Sequence, residues 1–153
     1  LVTGSGMPNP RRGVTGLDSA RSAMLIAVAD RAANLKLRDK DVFLATVGGI
    51  RLTDPGADLA VCLAVISAER NGTMPLDVAA VGEVTLSGDV RQVPHLPERV
   101  AEAIRLGYRR LLVPPGTKKR VNGKGEGGVL TEVTSLERAL AAVAAMPRFY
   151  ALP

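Results

Sequence analysis

The chain has 153 residues, 46% hydrophobic and 3% aromatic, with one cysteine, one histidine and a formal net charge of +5. That length and apolar content suit one domain with a real core and exclude disorder of the whole chain. A lone Cys62 excludes an internal disulfide framework, a lone His95 argues against a metal site, and the near-absence of aromatics argues against a base-stacking surface. No run of about eighteen apolar residues is present to span a membrane.

The first 13 residues, with Gly4, Gly6, Pro8, Pro10 and Gly13, read as an irregular segment. They lack the long apolar stretch of a signal peptide and look like a chain cut within or just after a strand; a reducing cytoplasm is the expected compartment. A first helix is predicted from about Leu17 to Leu35, with Asp18 as N-cap and Met24, Val28, Ala32 and Leu35 on one face. Asp41 to Val47 reads as a strand ending at Gly48-Gly49. Asp54 and Pro55 then open a second helix, closed by Asn71-Gly72 with Gly72 in the left-handed C′ conformation. Its eight consecutive apolar residues, Leu59 to Ile66, imply burial on all sides and a central position. Cys62 falls within that run and reads as a small buried hydrophobe.

Further along, Val78 to Val81 is a short strand. Glu83 to Val93 is a strand pair turning at Ser87-Gly88-Asp89, and Leu96 to Leu106 is a helix ended by Gly107. Arg110 to Val113 is a strand stopped by Pro114-Pro115. Residues 116–128, GTKKRVNGKGEGG, hold five glycines and read as a basic mobile loop. A last strand, Val129 to Val133, precedes a helix capped by Ser135 and running to about Met146. No internal repeat or linker breaks this pattern, and one α/β domain of helices packed on a sheet is expected.

The sequence holds few catalytic motifs. Asn122-Gly-Lys-Gly-Glu126 lacks the upstream glycine and the following Ser or Thr of a phosphate-binding loop. There is no G-x-S-x-G turn, and His95, between Pro94 and Leu96, reads as a surface or capping residue. All five lysines lie in polar segments where an ammonium stays protonated, so a Ser-Lys dyad has no evident base. The charge is uneven: Arg109, Arg110, Lys118, Lys119, Arg120 and Lys124 fall within sixteen residues that contain no acid, while the rest of the chain is nearly neutral. Such a local patch points to an anionic partner. Lys118, Lys119, Arg120 and Lys124 are the candidate contacts to DNA phosphates, independent of base sequence. Arg91 and Arg11-Arg12 are weaker candidates, and Arg109-Arg110 are expected to pair with acids such as Glu102.

Two segments carry a resemblance. VGEVTLSGDVRQV (residues 81–93), followed by a helix and GYRRLLVP (107–114), is similar to the proteolytic domain of Lon proteases. TDPGADLA (53–60) occupies the place of Lon's G-P-S-A-G, which opens a buried helix with the nucleophilic serine. The resemblance puts Gly56 at the serine and Pro97 at the catalytic lysine, so no catalytic residue is expected. A peptidase with a displaced dyad and a stand-alone nucleic-acid-binding module are the alternatives.

GLDSARSAML (16–25), VGGIR (47–51) and DPGADLA (54–60) more closely resemble the Lon-like C-terminal domain of the RadA (Sms) family of bacterial recombination ATPases. The resemblance covers about residues 14–146. It implies a two-layer α/β fold of the Lon proteolytic type, within the ribosomal protein S5 domain 2-like superfamily. It also implies a longer protein with a zinc finger and a RecA-like ATPase core, using Zn, ATP and Mg. Such a protein would form hexameric rings, act with recombinase filaments on DNA intermediates and drive branch migration. A nucleoid-associated place in the bacterial cytoplasm follows from the same resemblance.

Overall fold

The structure is a computed structural model that describes residues 1–6, 9–121 and 129–146. Strand β1 (Val2–Gly4) pairs antiparallel, and β2 (Arg12–Thr15) pairs parallel, with β3 (Lys40–Ala45), giving the order β1-β3-β2. Residues 2–4 and 12–13 of the opening segment are therefore strand, not irregular, while residues 7 and 8 lie outside the described residues. The short strands escape a periodicity argument because they are held by the central strand and by Asp41, which sits buried beneath Arg11.

Helix α1 (Ser19–Ala33) starts where expected, with the Asp18 carboxylate accepting from the Arg21 amide at 2.7 Å. The DPGAD segment does not start an α-helix directly. Asp54 caps a 3₁₀ turn, Pro55–Ala57, and α2 (Asp58–Glu69) follows. Leu59, Cys62, Leu63, Val65 and Ile66 are buried, but Ala60 and Ala64 are exposed, so burial on all sides is corrected to burial on most of the circumference. The left-handed residue after α2 is Asn71 (φ 48°), not Gly72, whose amide donates to the Ser67 carbonyl. Asparagine tolerates that conformation better than other side chains do.

Strand β4 (Val78–Ala80) is followed by the hairpin of β5 (Glu83–Val84) and β6 (Val90–Arg91). Next come α3 (Leu96–Arg105), β7 (Arg110–Val113), α4 (Thr117–Val121), β8 (Val129–Glu132) and α5 (Leu136–Ala144). The second sheet is all-parallel, in the order β4-β7-β8. Strand β7 shows why it sits centrally. Leu112 faces the main core with α1, α2 and α5, while Leu111 and Val113 face a second cluster with Val100 of α3 and Val121 of α4. A strand apolar on both faces needs cover on both. Among the described residues, no helix is long and apolar enough to cross a membrane.

The short helix α4 corrects the loop reading at residues 117–121; residues 122–128 of that segment lie outside the described residues. Thr117 and Val121 are buried at its two ends, and the Thr117 hydroxyl donates to the Pro114 carbonyl at 2.5 Å. A single buried valine among lysines is too weak a signal to be read without its partners.

Candidate functional site

The structure brings the two Lon-like segments together. Gly56 lies buried in the 3₁₀ turn, and Pro97 lies in the first turn of α3. Arg99, two residues beyond Pro97, reaches across. Its Nη2 lies 2.5 Å from Asp54 Oδ2, and its Nε donates to the Pro94 carbonyl at 2.9 Å. A cavity of about 220 Å³ lies there, lined by Leu52, Asp54, Gly56, Ala80, Arg99 and Ala103 among others. A β-carbon on residue 56 would stand 3.0 Å from both Arg99 Nη1 and Asp54 Oδ1, so the ion pair crowds the space a serine side chain would use.

The amide of Gly56 is also engaged, donating to Asp54 Oδ1 at 2.7 Å. That bond, together with Arg99, holds the Asp54 carboxyl below the usual carboxylate range.

The second aspartate of the segment makes a deeper anchor. Asp58 is buried and accepts Arg21 Nε at 2.7 Å, Arg21 Nη2 at 2.5 Å and the Val84 amide at 3.1 Å. Arg21 Nη2 also donates to Glu83 Oε1 at 3.1 Å. The hydrogen bonds to Asp58 raise the already high pKa of Arg21, keeping it cationic throughout the accessible range. Asp54 and Asp58 thus tie the start of α2 to α3 on one side and to α1 and β5 on the other. These clamps join residues far apart in the chain. The readable signal was Asp58 directly before eight apolar residues, because a carboxylate drawn into a core needs a cationic partner.

Cys62 is buried in α2, its Sγ 3.8 Å from the Leu25 carbonyl. Burial, then the Asp58 charge, pushes its thiol up to about 12, leaving it protonated and poorly nucleophilic at neutral pH. His95 is exposed, in the left-handed region at φ 58°, at the N-cap position of α3 without a side-chain capping bond.

The basic candidates divide into groups. Lys118, Lys119 and Arg120 are exposed on α4, and the Lys118 amide is held by Glu132 Oε1 at 2.7 Å. Lys124 lies outside the described residues. Arg91 is exposed on β6, its Nη2 3.5 Å from Asp89 Oδ2. The neighbouring Gln92 donates to the Pro115 carbonyl at 2.6 Å, which ties the hairpin end to the turn entering α4. Arg11 is committed to Asp41 and lies over the Phe43 ring, and Arg12 donates to the Leu37 and Lys40 carbonyls. Arg110 pairs with an acid as expected, but that acid is Asp77, because Glu102 is taken by Arg105 one helical turn away.

Three buried or half-buried aspartates share one consequence. The Arg11 amide and guanidinium hold Asp41 low, the Gly56 amide and Arg99 hold Asp54 low, and Arg110 holds Asp77 low. A depressed carboxyl contributes stability that is present above its unfolded pKa, about 3.9 for aspartate, and is lost as pH falls through the folded value. The unfolding midpoint in urea should therefore be flat from neutral pH down to about pH 5 with respect to these groups and fall below about pH 4. Asp77→Asn should make the acid limb shallower, and an unchanged limb would remove Arg110–Asp77 from this account.

Residues 19–126 match the family described as the Lon protease (S16) C-terminal proteolytic domain. Proteins named DNA repair protein RadA are similar over most of the chain. The one from Mycolicibacterium smegmatis is 50% identical over 107 residues, 70% of this chain and 23% of that protein. The one from Escherichia coli is 46% identical over 114 residues, 74% of this chain and 25% of that protein. The one from Pseudomonas aeruginosa is 43% identical over 143 residues, 94% of this chain and 31% of that protein. The chain thus spans about a quarter to a third of the length of these relatives. The mixed α/β fold, the buried DPGAD turn and these similarities agree: the chain belongs to the Lon protease C-terminal proteolytic domain family, as the Lon-like domain of the RadA type.

Proposed function

We propose that this chain is a DNA-contacting, non-peptidase domain of a DNA repair protein, and that α4 with its neighbouring Arg91 forms its contact to the phosphate backbone. The observation that carries the reading is the mounting of the cations. Lys118, Lys119 and Arg120 are exposed on one short helix whose ends, Thr117 and Val121, are buried. An anchored group of three cations meets a polyanion with less ordering cost than the same charges on a loose chain. With aromatics only 3% of the chain, the contact is read as sequence-independent.

The non-peptidase part rests on the turn at residues 54–58. Gly56 offers no nucleophile, its amide is engaged by Asp54, Pro97 supplies no base and the Cys62 thiol is buried and protonated. In the longer protein this domain would support self-association into a hexameric ring. ATP with Mg, a structural Zn, branch migration of recombination intermediates, cooperation with a recombinase filament and a place in the bacterial cytoplasm belong to the same proposal.

The test is duplex binding by fluorescence anisotropy across a salt series. Replacing Lys118, Lys119 and Arg120 together with alanine should weaken binding at every sequence tested and lower the salt slope by about 3, roughly one per phosphate contact. An unchanged slope would remove α4 from the interface.

A further inference from the structure

The VGGIR segment, residues 47–51, has no part in the clamps or in the basic helix. It forms a tip after β3. Val47 is 89% and Ile50 63% exposed, and between them Gly48 and Gly49 both take left-handed φ values, 73° and 70°. The tip is anchored at its base. The Thr46 amide donates to the Thr15 carbonyl at 3.1 Å, the Leu52 amide to the Gly16 carbonyl at 2.7 Å, and the Thr46 hydroxyl to the Ile50 carbonyl. Two aliphatic side chains are thus held in water on a tethered turn.

Beside the tip runs an open groove of about 550 Å³, lined among others by Thr15, Asp18, Ser19, Arg51 and Thr53. Asp18 is engaged in capping α1 through the Arg21 amide. The remaining polar groups named are three hydroxyls and a guanidinium, the side-chain types that contact phosphate and sugar oxygens. Aliphatic side chains beside such a cradle suit the chemistry of a duplex step, with the backbone in the polar groove and the aliphatic groups pressed against or between neighbouring bases.

We propose that the 47–51 tip and the adjoining groove form a second DNA contact, in which Val47 and Ile50 act as an apolar wedge at a base step and Arg51 holds the flanking phosphate. This rests on the reading of the chain as a DNA-contacting domain, and it adds a contact that perturbs stacking to one that only neutralises charge. Charge neutralisation carries most of the affinity, so loss of the wedge should leave most binding intact and remove the distortion.

The experiment uses a duplex carrying 2-aminopurine, whose fluorescence rises on unstacking, with the 153-residue chain. The unaltered chain should raise the fluorescence on binding. Val47→Ser/Ile50→Ser should abolish the rise while retaining most of the anisotropy-detected binding, and Arg51→Gln should lower the salt slope by about 1. If the unaltered chain binds without a rise, or the serine variant keeps it, the wedge is overturned and the basic-helix reading stands. If the unaltered chain binds no duplex, the DNA reading and the wedge fall together. If the serine variant instead turns an oligomer into a monomer in sedimentation with the fluorescence unaltered, the tip is a protein contact and the wedge is overturned.

Discussion

Asp58→Asn is expected to lower the stability of the chain by about 3 kcal/mol, the lower end of what breaking a buried ion pair costs. For a domain of this size that is a fall in melting temperature of roughly 6–12 °C. The reason lies in what the change leaves behind. Arg21 keeps a contact to Glu83 but loses its two-pronged partner, and the Val84 amide keeps only a neutral acceptor in a buried place. The matching change Asp54→Asn breaks a similar-looking pair whose side chains are 33% and 39% exposed. Solvent screens that pair, and its loss should cost under about 1 kcal/mol. Urea unfolding of both variants checks the contrast, and equal losses would mean that burial is not what distinguishes the two clamps.

Gly16→Ala is expected to cost on the order of 3 kcal/mol, because it combines a left-handed backbone penalty with a steric clash. Gly16 has φ 78°, and a β-carbon there would fall 1.9 Å from Thr46 Oγ1 and 2.7 Å from the Ile50 carbonyl oxygen. A hydroxyl can rotate away, but the carbonyl belongs to the base of the 47–51 tip and must move with it. Gly48→Ala supplies the control. Its φ is 73°, yet nothing lies within 4 Å of the added carbon, so only the conformational penalty of about 1 kcal/mol remains. Chemical denaturation measures both, and amide exchange at residues 46–52 should rise in the Gly16 variant alone. A small effect at Gly16 would show that the tip is not anchored as described.

The two aspartates give the family resemblance a physical meaning. In the DPGAD segment the central residue is a glycine with no side chain, and the flanking acids occupy the neighbourhood with ion pairs. The double substitution Gly56→Ser/Pro97→Lys would introduce a serine and a lysine and still leave Asp54 holding the residue-56 amide. The DPGAD turn is a junction that holds α2 against α1, α3 and β5.

Much of this was legible in the amino-acid order because it depends on short-range chemistry. Asp18 and Ser135 cap helices as read, since an N-cap needs only an oxygen and the amides two or three residues on. The Ser87-Gly88-Asp89 turn and the stop at Gly107 follow from backbone preferences that neighbours hardly alter. The apolar run Leu59 to Ile66 announced a buried helix, and Asp54 and Pro55 announced the capped turn that leads into it. What the order alone left open depends on residues far apart in the chain. β1 and β2 exist because β3 lies between them, and α4 exists because Val121 meets a cluster built by α3 and β7. Asp58 is a clamp only because α1 brings Arg21 to it, 37 residues away. Caps, turns and apolar periods are properties of a few consecutive residues, whereas ion pairs, edge strands and anchored tips come into being only when the chain closes on itself.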